Sequence, residues 1–283
     1  MPVTGERHIV VAAEPPDRAI AMDSITHANG EYGPGDVLIG ASFAGIVAVQ
    51  FAARYRPKAV IAHDCGIGLD GAGVNGLWFL DGAGIPAAAI DSASARIADG
   101  VDMWDRGVIS VANHWARLLG VGPGMPVRDA VAGFFAWDGV PWADEAPREH
   151  RSVVGSAGGR PIVAVDSIRF ALPEDRGAVV CVGSHGGRTA AAYALEIMPA
   201  GFISSDGGVG RDDSGINGLA ILGEAGIAAA AVSVASARIG EGNSTYQDGV
   251  ISFVNEIARE RGVRAGDPAR SAAKAMANGA TVR

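Results

Sequence analysis

The sequence is short of several things, and each shortage excludes a class of protein. Cysteine occurs only twice, at Cys65 and Cys181, which leaves no disulfide framework and no CxxC pair for zinc or redox chemistry. Basic residues are outnumbered, 23 against 31 acidic ones, for a net charge of −8; nucleic acid and anionic membrane are therefore not expected as partners. No apolar run reaches 18 residues, so no membrane span is expected. The first 19 residues, MPVTGERHIVVAAEPPDRA, show no long apolar stretch behind positive charge. The expected location is cytoplasmic. Neither HExxH nor HxH occurs among the six histidines, and GxSxG is missing, which removes the hydrolase elbow.

Glycine is abundant instead. Forty-one residues are glycine, about twice ordinary usage, and most sit where apolar runs end. Residues 63–77 read HDCGIGLDGAGVNGL and residues 205–219 read SDGGVGRDDSGINGL. The two stretches belong to a longer repeat. Shifted by 142 positions, residues 35–130 align on 177–272 without a gap, with 42 identities in 96 positions. MDSI at 22–25 resembles VDSI at 165–168, one residue further out of phase. A unit of this length is a duplicated domain, not a solenoid repeat. The division expected is a first repeat over 1–135, a connector over 136–158 and a second repeat over 159–283.

Within each repeat, short apolar runs alternate with helical patterns. IVVAA (9–13), VLIGA (37–41), AVIAH (59–63) and PAAAI (86–90) read as buried strands, matched by PIVAV, VVCVG, FISS and AAAAV in the second repeat. Continuous apolar runs suit parallel strands covered on both faces. The fold expected is α/β: internally duplicated, mainly parallel sheet or sheets with helices on both faces, and two halves related by a pseudo-twofold axis. Helices are expected over 44–55 and 72–82. The clearest helical spacing, Tyr246, Val250, Val254 and Ile257, predicts one helix over 244–261 stopped by Gly262, with a twin over 102–119 stopped by Gly120.

Ligands of open parallel sheets collect beyond the carboxyl ends of the strands, and polar residues kept in both repeats fall there. Ser42 and Ser184 follow the second run, Asp64 and Asp206 the third, and Arg96 and Arg238 the ASARI motif after the fourth. Asn75 and Asn217 sit before the next helix. N-capping and local turns account for many of these residues equally well. The letters that differ carry more information: Phe43 becomes His185, Ile46 becomes Arg188, His63 becomes Ser205 and Cys65 becomes Gly207. GSHGGR (183–188) thus sets hydroxyl, imidazole and guanidinium together, suited to proton transfer and to an anionic group.

The candidate catalytic residues are His185, Ser184, Asp206, Asp64 and Cys65, the last in reach of His63. The candidate substrate ligands are Ser42, Arg96, Arg188, Arg238, Asn75 and Asn217. No cofactor is required, although the carboxylates at 64, 70, 206 and 212 could hold Mg²⁺ through waters. GIGLDG (66–71) fits a dinucleotide fingerprint on paper, but its second copy loses the third glycine. The function expected is an enzyme on a small anionic metabolite, first a hydrolase of an amide-type C–N bond, with its site at the junction of the repeats. The alternatives are a lyase or isomerase using proton abstraction, a nucleotide- or dinucleotide-dependent enzyme, and a non-catalytic small-ligand binder. Alanine and glycine on helical faces also permit a homo-oligomer.

Overall fold

The computed structural model describes residues 7–139 and 150–279. Trp142, read as part of the connector, lies outside them. The chain is α/β and forms two compact units, each built on a six-stranded mixed sheet of the same topology.

Unit 1 holds β1 (His8–Glu14), β2 (Asp17–Met22), β3 (Asp36–Phe43), β4 (Ala59–His63), β5 (Ala87–Ile90) and β6 (Ile109–Ala112). The strands lie side by side in chain order; β2 to β5 are parallel, and β1 and β6 run antiparallel at the two edges. Its helices are α1 (Ile46–Ala53), α2 (Gly76–Gly82), α3 (Gly100–Arg106), α4 (His114–Leu118) and α5 (Val127–Phe135). All eight residues of β3 are buried, because both faces are covered. Val37, Ile39 and Ala41 pack in one core with Met103 of α3 and Val131 and Phe134 of α5. Gly40, pointing the other way, meets the short 3₁₀ turn Ile25–His27, where a Cβ would lie 2.4 Å from the Ile25 Cα. Unit 1 also takes in the tripeptide Gly210–Asp212.

Unit 2 repeats the plan with β7 (Arg151–Ala157), β8 (Arg160–Val165), β9 (Val179–His185), β10 (Gly201–Ser205), β11 (Ala228–Val232) and β12 (Ile251–Val254). Its helices are α6 (Arg188–Ile197), α7 (Gly218–Glu224), α8 (Gly242–Gln247), α9 (Glu256–Glu260) and α10 (Ala269–Asn278). It takes in the tripeptide Gly68–Asp70. Ile162, Val179, Cys181, Ile203 and Ala230 pack under Ala273 and Met276 of α10.

Three expectations change. The helix over 244–261 is a helix, an edge strand and a second helix (α8, β12, α9), and 102–119 divides in the same way. The breaks are chemical. At Gly249 a Cβ would stand 2.4 Å from the Thr245 carbonyl oxygen, and Asn255 caps α9 by accepting from Ala258 N–H, as Asn113 does for α4 with Ala116. The C-terminal stops hold: Gly120 and Gly262 have φ of 78° and 86°, the left-handed cap position.

The second change concerns 136–158, read as connector, which contains β7 at Arg151–Ala157. IVVAA is therefore the twin of β7, not of PIVAV, and PIVAV in β8 is the twin of β2. The third is that β1 is not buried: Ile9 and Val10 are exposed, as is Val153 of β7. Each outer hairpin also carries a register shift at the same place, between Val10 and Ala12 in one and between Val153 and Gly155 in the other.

Candidate functional site

The polar residues kept in both repeats do reach the carboxyl ends of the strands, where they are occupied in holding loops. Ser42 Oγ accepts a hydrogen bond from Ile25 N–H, and Ser184 Oγ accepts from Ile168 N–H, both at 3.1 Å. Each serine ties its strand to the 3₁₀ turn that follows the neighbouring strand.

Asp64 and Asp206 are buried, and their charge is met by N–H groups. Asp64 Oδ1 accepts from Gly66 and Ser92 N–H at 2.9 and 3.0 Å. Asp206 Oδ1 accepts from Gly208 and Val234 N–H at 3.0 and 2.9 Å, and its Oδ2 accepts from Ser252 Oγ at 2.9 Å. A buried carboxylate needs such donors, and here they knit two adjacent loops together. Both residues read from sequence as catalytic candidates therefore brace loops in this structure.

The ASARI arginines brace as well. Arg96 pairs with Asp102 at 3.0 Å and with Asp212 at 2.5 Å inside unit 1. Arg238 pairs with Asp70 at 2.6 Å inside unit 2. Asp64, Asp70, Asp206 and Asp212 thus each hold a backbone or guanidinium partner. Among the described residues no set of three or more His, Cys, Asp or Glu is arranged to hold a metal ion. Asn75 Oδ1 accepts from Ile46 N–H at 2.9 Å, across from α2 to the start of α1. Asn217 is exposed and makes no side-chain cap.

Cys65 is wholly buried, with φ 46°. His63 does not form a thiol–imidazole dyad with it. Its Nδ1 accepts from the Cys65 backbone N–H at 3.2 Å, and its Nε2 donates to the Ala95 carbonyl at 3.0 Å, so no lone pair remains to take a thiol proton. Burial holds the His63 imidazole below its ordinary pKa, against the opposing effect of the Ala95 bond. Its twin explains the role: Ser205 Oγ accepts from Gly207 N–H, also at 3.2 Å. Imidazole in one repeat and hydroxyl in the other close the same turn. Cys181 lies in the core, and burial pushes its thiol up to about 12.

The glycine loop at 66–71 is not a phosphate cradle of the dinucleotide kind. Its residues turn left-handed at Gly66, Ile67, Gly68, Asp70 and Gly71, and α2 begins only at Gly76. The loop therefore does not run straight into a helix N-terminus, which that fingerprint requires.

One expected residue has no matching brace in its twin. His185 ends β9 and is buried, where unit 1 has Phe43. Its Nδ1 accepts from Gly187 N–H at 3.1 Å, which fixes the neutral tautomer with the proton on Nε2. Glycine is needed there, because a Cβ on Gly187 would lie 2.9 Å from that Nδ1 and 2.6 Å from the Ser214 carbonyl. The register sets Ser205 of β10 directly beside His185, and exposed Arg188 opens α6 three residues on. The structure thus brings together His185, Ser205 and the GGR turn.

A second imidazole group went unread in the sequence: His8, His27 and Tyr32, with His8 Nδ1 bonded to Tyr32 Oη and the two imidazoles stacked at 6.1 Å. Its twin in unit 2 is the Arg151–Asp175 ion pair, so it braces the first hairpin. The signal available was the repeat itself, since His8 and Arg151 are 143 residues apart.

Comparison with protein families, with curated proteins and with solved structures yields no match.

Proposed function

We propose that the chain is a small-molecule enzyme acting on an anionic metabolite, with His185 as its polarising group and Arg188 as its anion ligand. The reading rests on one observation, the Gly187 N–H bond to His185 Nδ1. That bond uses the Nδ1 lone pair and so places the ring proton on Nε2. A neutral imidazole of this tautomer polarises a carbonyl oxygen and stabilises negative charge developing on it; it does not take a proton at Nε2. Two reactions need such a group. Hydrolysis of an amide-type C–N bond by water passes through an oxyanion, and this remains the first reading. Proton abstraction next to a carbonyl, as in a lyase or isomerase, passes through an enolate. The engagement of Ser42 and Ser184 with backbone N–H groups keeps this second reading beside the first, because it requires no protein nucleophile.

The test is a screen for ammonia release from N-carbamoyl and amide-bearing carboxylates, run beside deuterium wash-in to keto acids. It is followed by His185→Gln and His185→Ala on whichever substrate turns over. Glutamine keeps a neutral N–H donor and should retain part of the rate. Alanine should lose at least a hundredfold. Alanine activity within about tenfold of wild type would refute the role.

A further inference from the structure

At the opposite end of the unit 2 sheet, below the amino ends of β8 to β11, lies a cavity of about 620 Å³ lined by Arg160, Arg176, Arg261, Ala200 and Gly279 among others. Its charge is unusual for a chain of net charge −8. Arg261 Nη1 donates to the Ala200 and Met276 carbonyls at 2.7 and 3.1 Å, and Arg160 Nη1 donates to the Gly177 carbonyl at 3.0 Å. Among the described residues none of the three arginines has a carboxylate in ion-pair range. Glu260 is the one acidic residue in the lining.

Unit 1 shows what this place looks like when it is self-sufficient. There Lys58 caps the end of the last helix by donating to the Phe135 and Trp137 carbonyls, much as Arg261 donates to the Met276 carbonyl in the last turn of α10. Lys58 is neutralised by Asp17 at 2.7 Å. Asp17 and Arg160 are twins, each opening the second strand of its unit. In unit 2 the neutralising carboxylate has therefore been replaced by a second guanidinium. Trp137 of unit 1 corresponds to Gly279, 142 residues later, where a Cβ would lie 2.8 Å from Arg261 Cγ. The glycine makes room for the guanidinium stem. Burial, and then the nearby Arg160, lower the Arg261 pKa, as expected of cations brought together without a counter-ion.

We infer that this cavity binds the phosphate group of a small phosphorylated molecule, held by Arg160, Arg176 and Arg261. Guanidinium forks match phosphate oxygens, and the volume falls in the range of small-molecule pockets, which favours an ester with a body over a bare ion. The site is separate from His185 and stands whether or not that group is catalytic.

The experiment is calorimetric titration of the full chain at matched ionic strength with glycerol 3-phosphate, ribose 5-phosphate, inorganic phosphate and succinate. A phosphate ester should bind most tightly, inorganic phosphate more weakly and succinate least. Arg160→Asp restores the unit 1 pairing; it should raise the melting temperature without ligand and weaken ester binding at least tenfold. Arg176→Ser, at an exposed position, should weaken binding severalfold with no change in melting temperature. Unaltered ester affinity in both variants would overturn the assignment. Succinate binding as tightly as the esters would overturn the phosphate chemistry.

Discussion

The twin carboxylates Asp64 and Asp206 allow one chain to carry both an experiment and its control. Each is buried and braces the same pair of loops, but with two hydrogen bonds at Asp64 and three at Asp206, the extra one from Ser252. Ser110, the twin of Ser252, donates to the Ala89 carbonyl alone. Ser252 Oγ lies 2.9 Å from Asp206 Oδ2 and 3.2 Å from the equivalent Ala231 carbonyl, and gives its one proton to the nearer, charged acceptor. Bonds to a charged acceptor are worth about 1.5 kcal/mol or more each. Asp64→Ala should therefore cost about 3 kcal/mol and Asp206→Ala about 4.5 kcal/mol, and Asp206→Asn, which keeps Oδ1, about 1 kcal/mol. Hydrogen exchange of the donor amides reads these costs locally. Ser92 in the first variant should exchange about a hundredfold faster, and Val234 in the second about a thousandfold faster, since about 1.4 kcal/mol is a factor of ten. Ser252→Ala in the Asp206→Ala background should add less than it does alone, because the two share one bond. Equal acceleration at both sites, or an asparagine variant as damaged as alanine, would refute the bracing argument.

Two further outcomes follow from burial. His63 is held neutral in the folded chain, while the unfolded imidazole titrates near 6.5; below that pH the unfolded state binds a proton that the folded state refuses. Its contribution is complete above about pH 6.5 and is lost as pH falls toward the depressed folded value, by about 1.4 kcal/mol per unit. Urea midpoints between pH 7.5 and 5.5 should fall less steeply in His63→Gln, and parallel slopes would contradict the assignment. Neither cysteine should react with Ellman's reagent in the folded protein, since both are fully buried, whereas both should react in denaturant. Rapid native labelling of Cys65 would restore it as a nucleophile.

The interior strands were legible because burial on both faces writes an unbroken apolar run: AVIAH and AAAAV coincide with β4 and β11 to the residue. The edge strands were not. β6 and β12 are four residues long and half exposed, so the apolar spacing at Tyr246, Val250, Val254 and Ile257 imitated a helix although its members belong to different elements. The punctuation was present in Asp248–Gly249 and in Asn255, and its repetition at Arg106–Gly107 and Asn113 could have outweighed the periodicity. At the loops, sequence located the polar groups correctly but could not assign them. A carboxylate two residues ahead of a glycine N–H looks the same whether it receives that N–H or a substrate. Only the difference between the repeats was informative, and it separated His185, which departs from its twin, from Asp206 and Arg238, which keep the chemistry of theirs.

The outer hairpins bear on how such molecules behave at high concentration. Exposed Ile9, Val10 and Val153 would make straight edges into templates on which further copies could add strand by strand. A kink at the same step of both rims breaks the row of outward-facing amides before it can register with another chain. Removing one residue at Val11 or Val154 should straighten that row, and the protein would then polymerise along its flanks without losing its core.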